Sequence, residues 1–151
     1  MYIAIVLCLM LIFPFAGIGV EYGHAPLMAL VGKWFVFFGV GWRLAIAGIR
    51  QIAQPRFTAE HIFNVTGGGG VLVLVRELGF ANLGTGLVGI VSLWRPDFTL
   101  PTAIVAGIFY AAAGVMHSLE ANRSTNENVA MVSDLGIAIV LAAYVVWRLC
   151  I

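Results

Sequence analysis

Five apolar stretches occupy most of this chain, at about residues 2–20, 27–50, 71–94, 99–118 and 129–150. Each is long enough to cross a bilayer, since a hydrocarbon core of roughly 30 Å takes about 20 helical residues. The expected fold is an all-α membrane protein, a bundle of five transmembrane helices forming a single domain over residues 1–151. Composition agrees, because 62% hydrophobic and 10% charged residues leave too little polar surface for a soluble globule of 151 residues. There is no run of Lys/Arg of the kind that holds nucleic acid electrostatically. Cys8 and Cys150 stand at opposite ends without CxxC or Cys/His ligand spacing, and read as lone apolar thiols.

The first stretch lacks the basic flank of a signal peptide and is expected to be the first span, with Pro14, Gly17 and Gly19 allowing a kink or close packing. Between the second and third spans, Pro55 stops a helix, and the run Thr58, Glu60, His61, Ile62, Phe63 predicts a short helix lying in the interface. Gly67 to Gly70 read as a hinge; no Lys-Ser/Thr follows them, so they carry no phosphate-loop signature. Ser124 and Glu127 have capping-box spacing and open the fifth span, with Asn126 and Asn128 in the same turn. Arg50, Arg56 and Arg123 fall on the side of Met1, against Lys33, Arg95 and Arg148 opposite, which places the N-terminus in the cytoplasm. The sequons at Asn64 and Asn122 then face the cytoplasm and carry no glycan.

An ionisable side chain at mid-bilayer costs about 2.5–3.5 kcal/mol on the insertion scale, so each needs a partner, water or a function. Helical rotation of about 100° per residue sorts these groups by face. On the third span Arg76 aligns with Phe80, Leu83, Leu87 and Trp94 and reads as a headgroup anchor, while Glu77 falls with Ala81, Gly84, Thr85 and Val88. Asn82 aligns with Gly79, Gly86 and Gly89, so this helix is expected to be central, with two packed faces. His117 shares its face with Tyr110, Ala106, Ala113 and Gly114, opposite Ile104, Ile108, Val115 and Leu119. Arg43 lies with Gly39, Ala47 and Arg50, opposite Phe35, Phe38, Trp42 and Ile49; Asp134 lies with Glu127, Ala130, Ala138 and Leu141. Arg43, Glu77, His117 and Asp134 all fall in the cytoplasmic third, about 3–10 Å below the boundary, and are expected to form one connected cluster.

The strings KWFVFFGVGWRLAIAGIRQ, PRFTAEHIF, RELGFANLGTG and FYAAAGVMHSLEANRSTNENVAMVSDL cover most of residues 33–135. They resemble an uncharacterised family of small bacterial integral membrane proteins, distantly similar to the DoxX-like four-helix family. The polar positions of that pattern fall on Arg43, Arg50, Glu77, Asn82, His117, Asn126, Glu127 and Asp134. The resemblance implies a helical bundle in a bacterial inner membrane and only a loose tie to membrane redox complexes; it implies no reaction, and the glycine run is not part of its pattern.

Three functions fit these residues. The first is a ligand- or lipid-binding accessory subunit of a larger membrane system, with Arg43, Glu77, Asn82, His117 and Asp134 forming an intramembrane polar site on the cytoplasmic side and Tyr110, Asn126 and Glu127 close by. The second is an enzyme for a lipid-like substrate, in which His117 or Glu77 moves a proton and Arg43 steadies negative charge. The third is a structural subunit whose polar contacts, worth near 1 kcal/mol, only fix helix register. Haem is disfavoured because His24 and His61 lie outside the core and give His117 no axial partner, no metal-ligand set is present, and no cofactor is implied. A transporter is disfavoured by the lack of an internal repeat. The expected partners are the bilayer, other membrane subunits or a second copy of the chain, and no nucleic acid.

Overall fold

The computed structural model describes residues 2–63, 65 and 68–150. Asn64 and Thr66 of one sequon, the hinge residue Gly67, Met1 and Ile151 lie outside the described residues. The described chain is helical and without strands. Five long helices, Ile3–Glu21, Leu27–Ala53, Gly69–Val91, Pro96–Leu119 and Thr125–Cys150, are long and apolar enough to cross a membrane. They are called the first to fifth helices below, and they mark the chain as a multi-pass membrane protein by length and composition.

The breaks between helices follow local chemistry. Gly23 adopts φ +88° in the turn after the first helix, a conformation that side chains with a Cβ rarely take. Pro55 ends the second helix and opens the short helix Pro55–His61, where its missing N–H costs nothing. The fourth helix stops at Leu119, and Arg123 donates from Nη1 to the carbonyls of His117, Ser118 and Glu120 at 3.3, 3.0 and 2.5 Å, satisfying acceptors that no further turn reaches. At the start of the fifth helix, the Glu127 N–H donates to Ser124 Oγ at 3.1 Å, which is half of the expected capping box.

The helices pack as two tight hairpins, the second with the third and the fourth with the fifth, while contacts between third and fourth are sparse. The first pair is held by glycine. A Cβ on Gly48 would lie 2.6 Å from both the Gly79 oxygen and the Leu83 nitrogen, and one on Gly41 would lie 2.8 Å from the Ile90 nitrogen. Backbone therefore meets backbone along this seam. The first helix covers the second with Val6, Met10 and Ile18, and the centre is filled by Val36, Val40, Tyr110, Ile137 and Leu141, all at most 1% exposed.

Two segments are wound as π-helix, Cys8–Ile12 and Phe35–Trp42, and they touch each other. A π-turn rotates less per residue than an α-turn, so the face of the second helix slips across residues 35–42. This corrects the expected lipid face of that helix: Trp42 and Ile49 are exposed, but Phe35 is 5% exposed and belongs to the core.

The third helix also departs from expectation. Gly79, Asn82, Gly86 and Gly89 are buried against the second helix, whereas Glu77, Ala81, Gly84 and Val88 are exposed. It has one packed face, not two. Small residues permit close approach on either side, but only the glycine face meets matching glycines, Gly41 and Gly48, on a neighbour. Arg76 is exposed beside Phe80 and Leu87, as its helical phase requires. On the fourth helix Ile104, Ile108, Val115 and Leu119 face outward and Ala106, Tyr110, Gly114 and His117 inward, and on the fifth Glu127, Ala130, Asp134, Ala138 and Leu141 are buried, all as read from the sequence.

Candidate intramembrane binding site

Between the two hairpins, at the end where the short helix lies, is a cavity of about 540 Å³. The same end holds the loop before the fifth helix, since Ser124 Oγ donates to the His61 carbonyl at 3.3 Å. Apolar walls come from Val6 and Leu9 of the first helix, Ile62 of the short-helix segment, Leu78 of the third and Phe109 of the fourth. Polar groups converge from four of the five long helices, Arg43, Arg50 and Gln51 on the second, Asn82 on the third, His117 on the fourth, Glu127 and Asp134 on the fifth, joined by Thr58 of the short helix and by Glu120 just after the fourth helix.

Arg43 and Asp134 form the first polar wall. Arg43 Nη2 donates to Asp134 Oδ1 at 2.5 Å and to Ser133 Oγ at 2.8 Å, while Nη1 lies 3.4 Å from Met10 Sδ. The guanidinium sits 4.8 Å from the ring centre of Tyr110, whose hydroxyl donates at 2.9 Å to the Gly39 carbonyl. That carbonyl belongs to the π-wound segment, so Tyr110 both lies against the arginine and ties the fourth helix to that segment. Tyr110 is 1% exposed and is not among the residues that line the cavity.

His117 and Glu127 form the second. His117 Nδ1 and Glu127 Oε1 are 3.4 Å apart, with side chains 11% and 2% exposed. Glu127 Oε2 is buried and has no hydrogen-bond partner among the described residues. The capping-box spacing is thus half misleading, because the backbone of Glu127 caps the helix while its side chain leaves the cap for the histidine. The third polar wall is the bond from Asn82 Nδ2 to Gln51 Oε1, 2.9 Å and buried. Arg50 closes the site beside it, its guanidinium 3.5 Å from the ring centre of Phe57 on the short helix.

The structure therefore brings together Arg43, Asn82, His117, Glu127 and Asp134, but as separate pairs around one cavity. Glu77 is the correction: it is exposed on the outer face of the third helix and does not line the cavity. Its neighbours Ala81 and Gly84 turn outward with it because the glycine seam fixes the opposite face inward. Asn126 is half-buried and does not line the cavity either. Gln51, Ser133 and Met10 were not singled out by sequence reasoning. Gln51 lies three residues after Gly48 on the packed face, and that register is the signal that finds it; Ser133 and Met10 are too ordinary in a span to stand out.

Among the described residues, no group of three His, Cys, Asp or Glu side chains could hold a metal ion. No curated protein and no solved structure matches the chain. A family model does match, over residues 1–150, and its description is a family of unknown function (DUF6790). The five-helix chain with its glycine-seamed hairpin and polar cavity belongs to that family.

Proposed function

We propose that this protein binds the polar end of an amphipathic small molecule or lipid between its two hairpins, as an accessory subunit of a larger membrane system. The observation that carries the reading is the cavity itself: about 540 Å³, mostly apolar walls, and polar groups converging on it. Polar side chains that served only as glue between helices would close on one another and leave no such space. The resemblance of strings within residues 33–135 to small bacterial integral membrane proteins, read from the sequence, supports an inner-membrane setting. The arginine excess at the cavity end supports a cytoplasmic N-terminus and a cytoplasmic-side site. In that frame the short helix Pro55–His61 lies in the interface, with Arg56, Glu60 and His61 toward water.

The test is purification in mild detergent followed by native mass spectrometry, comparing the natural chain with Ala113→Phe. Ala113 lines the cavity, and a phenyl ring there intrudes on it. A bound amphiphile on the natural chain that is lost from the variant is the expected result. No amphiphile on either chain, at any detergent concentration that keeps the fold, overturns the reading.

A second reading, proton transfer on a lipid-like substrate, is favoured by one observation, the His117–Glu127 pair on the cavity wall beside Arg43. It shares the binding step and adds turnover.

A further inference from the structure

The cavity holds one buried polar atom whose chemistry is incomplete. Glu127 is 1% exposed, its Oε1 faces His117 Nδ1 at 3.4 Å, and its Oε2 has no hydrogen-bond partner among the described residues. A buried acceptor left without a donor is costly, more so when it carries charge. The other polar groups of the cavity do not supply that donor. Arg43 is engaged by Asp134 and Ser133, Arg50 lies against Phe57, and the amide of Asn82 is turned to Gln51. The wall carries three carboxyl side chains, Glu120, Glu127 and Asp134, beside two arginines, Arg43 and Arg50, and His117.

Resting on the reading of this cavity as a binding site, we infer that its ligand is an amphiphile with a primary ammonium head, which donates to Glu127 Oε2. An ammonium brings both an N–H donor and a positive charge to a buried carboxylate. A hydroxyl head supplies the donor without the charge, and a quaternary ammonium the charge without the donor. A carboxylate head meets Glu127 with neither. The apolar walls at Val6, Leu9, Ile62 and Leu78 take the chain of the amphiphile. Arg50 stands where an anionic group on the same molecule would be held, so an aminophospholipid and a simple long-chain amine share this chemistry.

The experiment is a head-group series at equal mole fraction in detergent micelles: dodecylamine, dodecyltrimethylammonium, dodecanol and laurate, read by native mass spectrometry. Dodecylamine is expected to bind at least about tenfold tighter than the trimethylammonium or the alcohol, the scale of one charge-assisted hydrogen bond, with laurate weakest. Glu127→Gln, which keeps the shape, is expected to reduce that preference to within about twofold. If the variant does not fold, the series on the natural chain decides alone. Nanodiscs then identify the source: phosphatidylethanolamine retained over phosphatidylcholine points to the lipid headgroup, and equal retention points to a free amine. Trimethylammonium, alcohol or laurate binding within twofold of dodecylamine overturns the inference. If that levelling occurs while Ala113→Phe still removes all four, the cavity remains a binding site and only the head-group assignment fails. If none of the four binds, the binding reading fails with it.

Discussion

Arg43 on the second helix and Asp134 on the fifth meet at 2.5 Å across the gap between the hairpins, with side chains 9% and 8% exposed. They are 91 positions apart in sequence, so the contact joins the halves of the bundle and not neighbouring turns. A buried pair of this kind contributes modestly when whole but leaves an uncompensated charge when halved. Asp134→Ala is therefore expected to cost about 3–5 kcal/mol, and Arg43→Met with Asp134→Leu less than the single change. Unfolding midpoints in mixed micelles measure both. A double variant less stable than Asp134→Ala would show that the stranded charge is not what makes the single change costly.

The glycine seam makes a sharper forecast. Gly48→Ala places a methyl 2.6 Å from backbone on the third helix, which no rotamer change relieves, and is expected to destabilise by about 1–3 kcal/mol. Gly84→Ala, on the exposed face of the third helix with nothing within 4 Å, is expected to be neutral or to stabilise by up to about 1 kcal/mol. Thermal scans of the two variants side by side check the contrast.

Glu77 provides a control for the site. Because it is exposed and lines no cavity, Glu77→Gln is expected to change stability by less than about 0.5 kcal/mol and to leave amphiphile retention unaltered. Loss of retention in that variant would move the site to the outer face of the third helix.

Cysteines placed at positions 56 and 123 are expected to label from the same side of the membrane, since the short helix and the loop before the fifth helix are tied by Ser124 and His61. Under the proposed orientation that side is the cytoplasm, and impermeant reagent reaches both only after the cells are opened. Labelling of either position in intact cells would reverse the orientation, and labelling from different sides would change the number of spans.

Much of this arrangement was legible in the sequence. Apolar runs delimit the helices, and the regular α-rotation of the fourth and fifth helices places His117, Glu127 and Asp134 inward. Rotation alone was insufficient in two places. On the third helix, two small-residue faces were equally eligible, and only the position of Gly41 and Gly48 on a neighbour chose between them, turning Glu77 out. On the second helix, π-winding shifts Phe35 into the core, and no local residue pattern announces it. Glu127 was legible as a cap but not as the partner of His117, because that pairing depends on how the loop at 120–124 folds the two helices together.

The seam between the second and third helices has a mechanical consequence. Backbone resting on backbone offers no side chain whose rotamer could absorb a displacement, so these two helices translate and tilt as one stiff plate. The opposite plate is joined to it by side chains, foremost the Arg43–Asp134 salt bridge on the cavity wall. The softest deformation of the bundle is then a scissoring of one plate against the other, which changes the volume available to a guest.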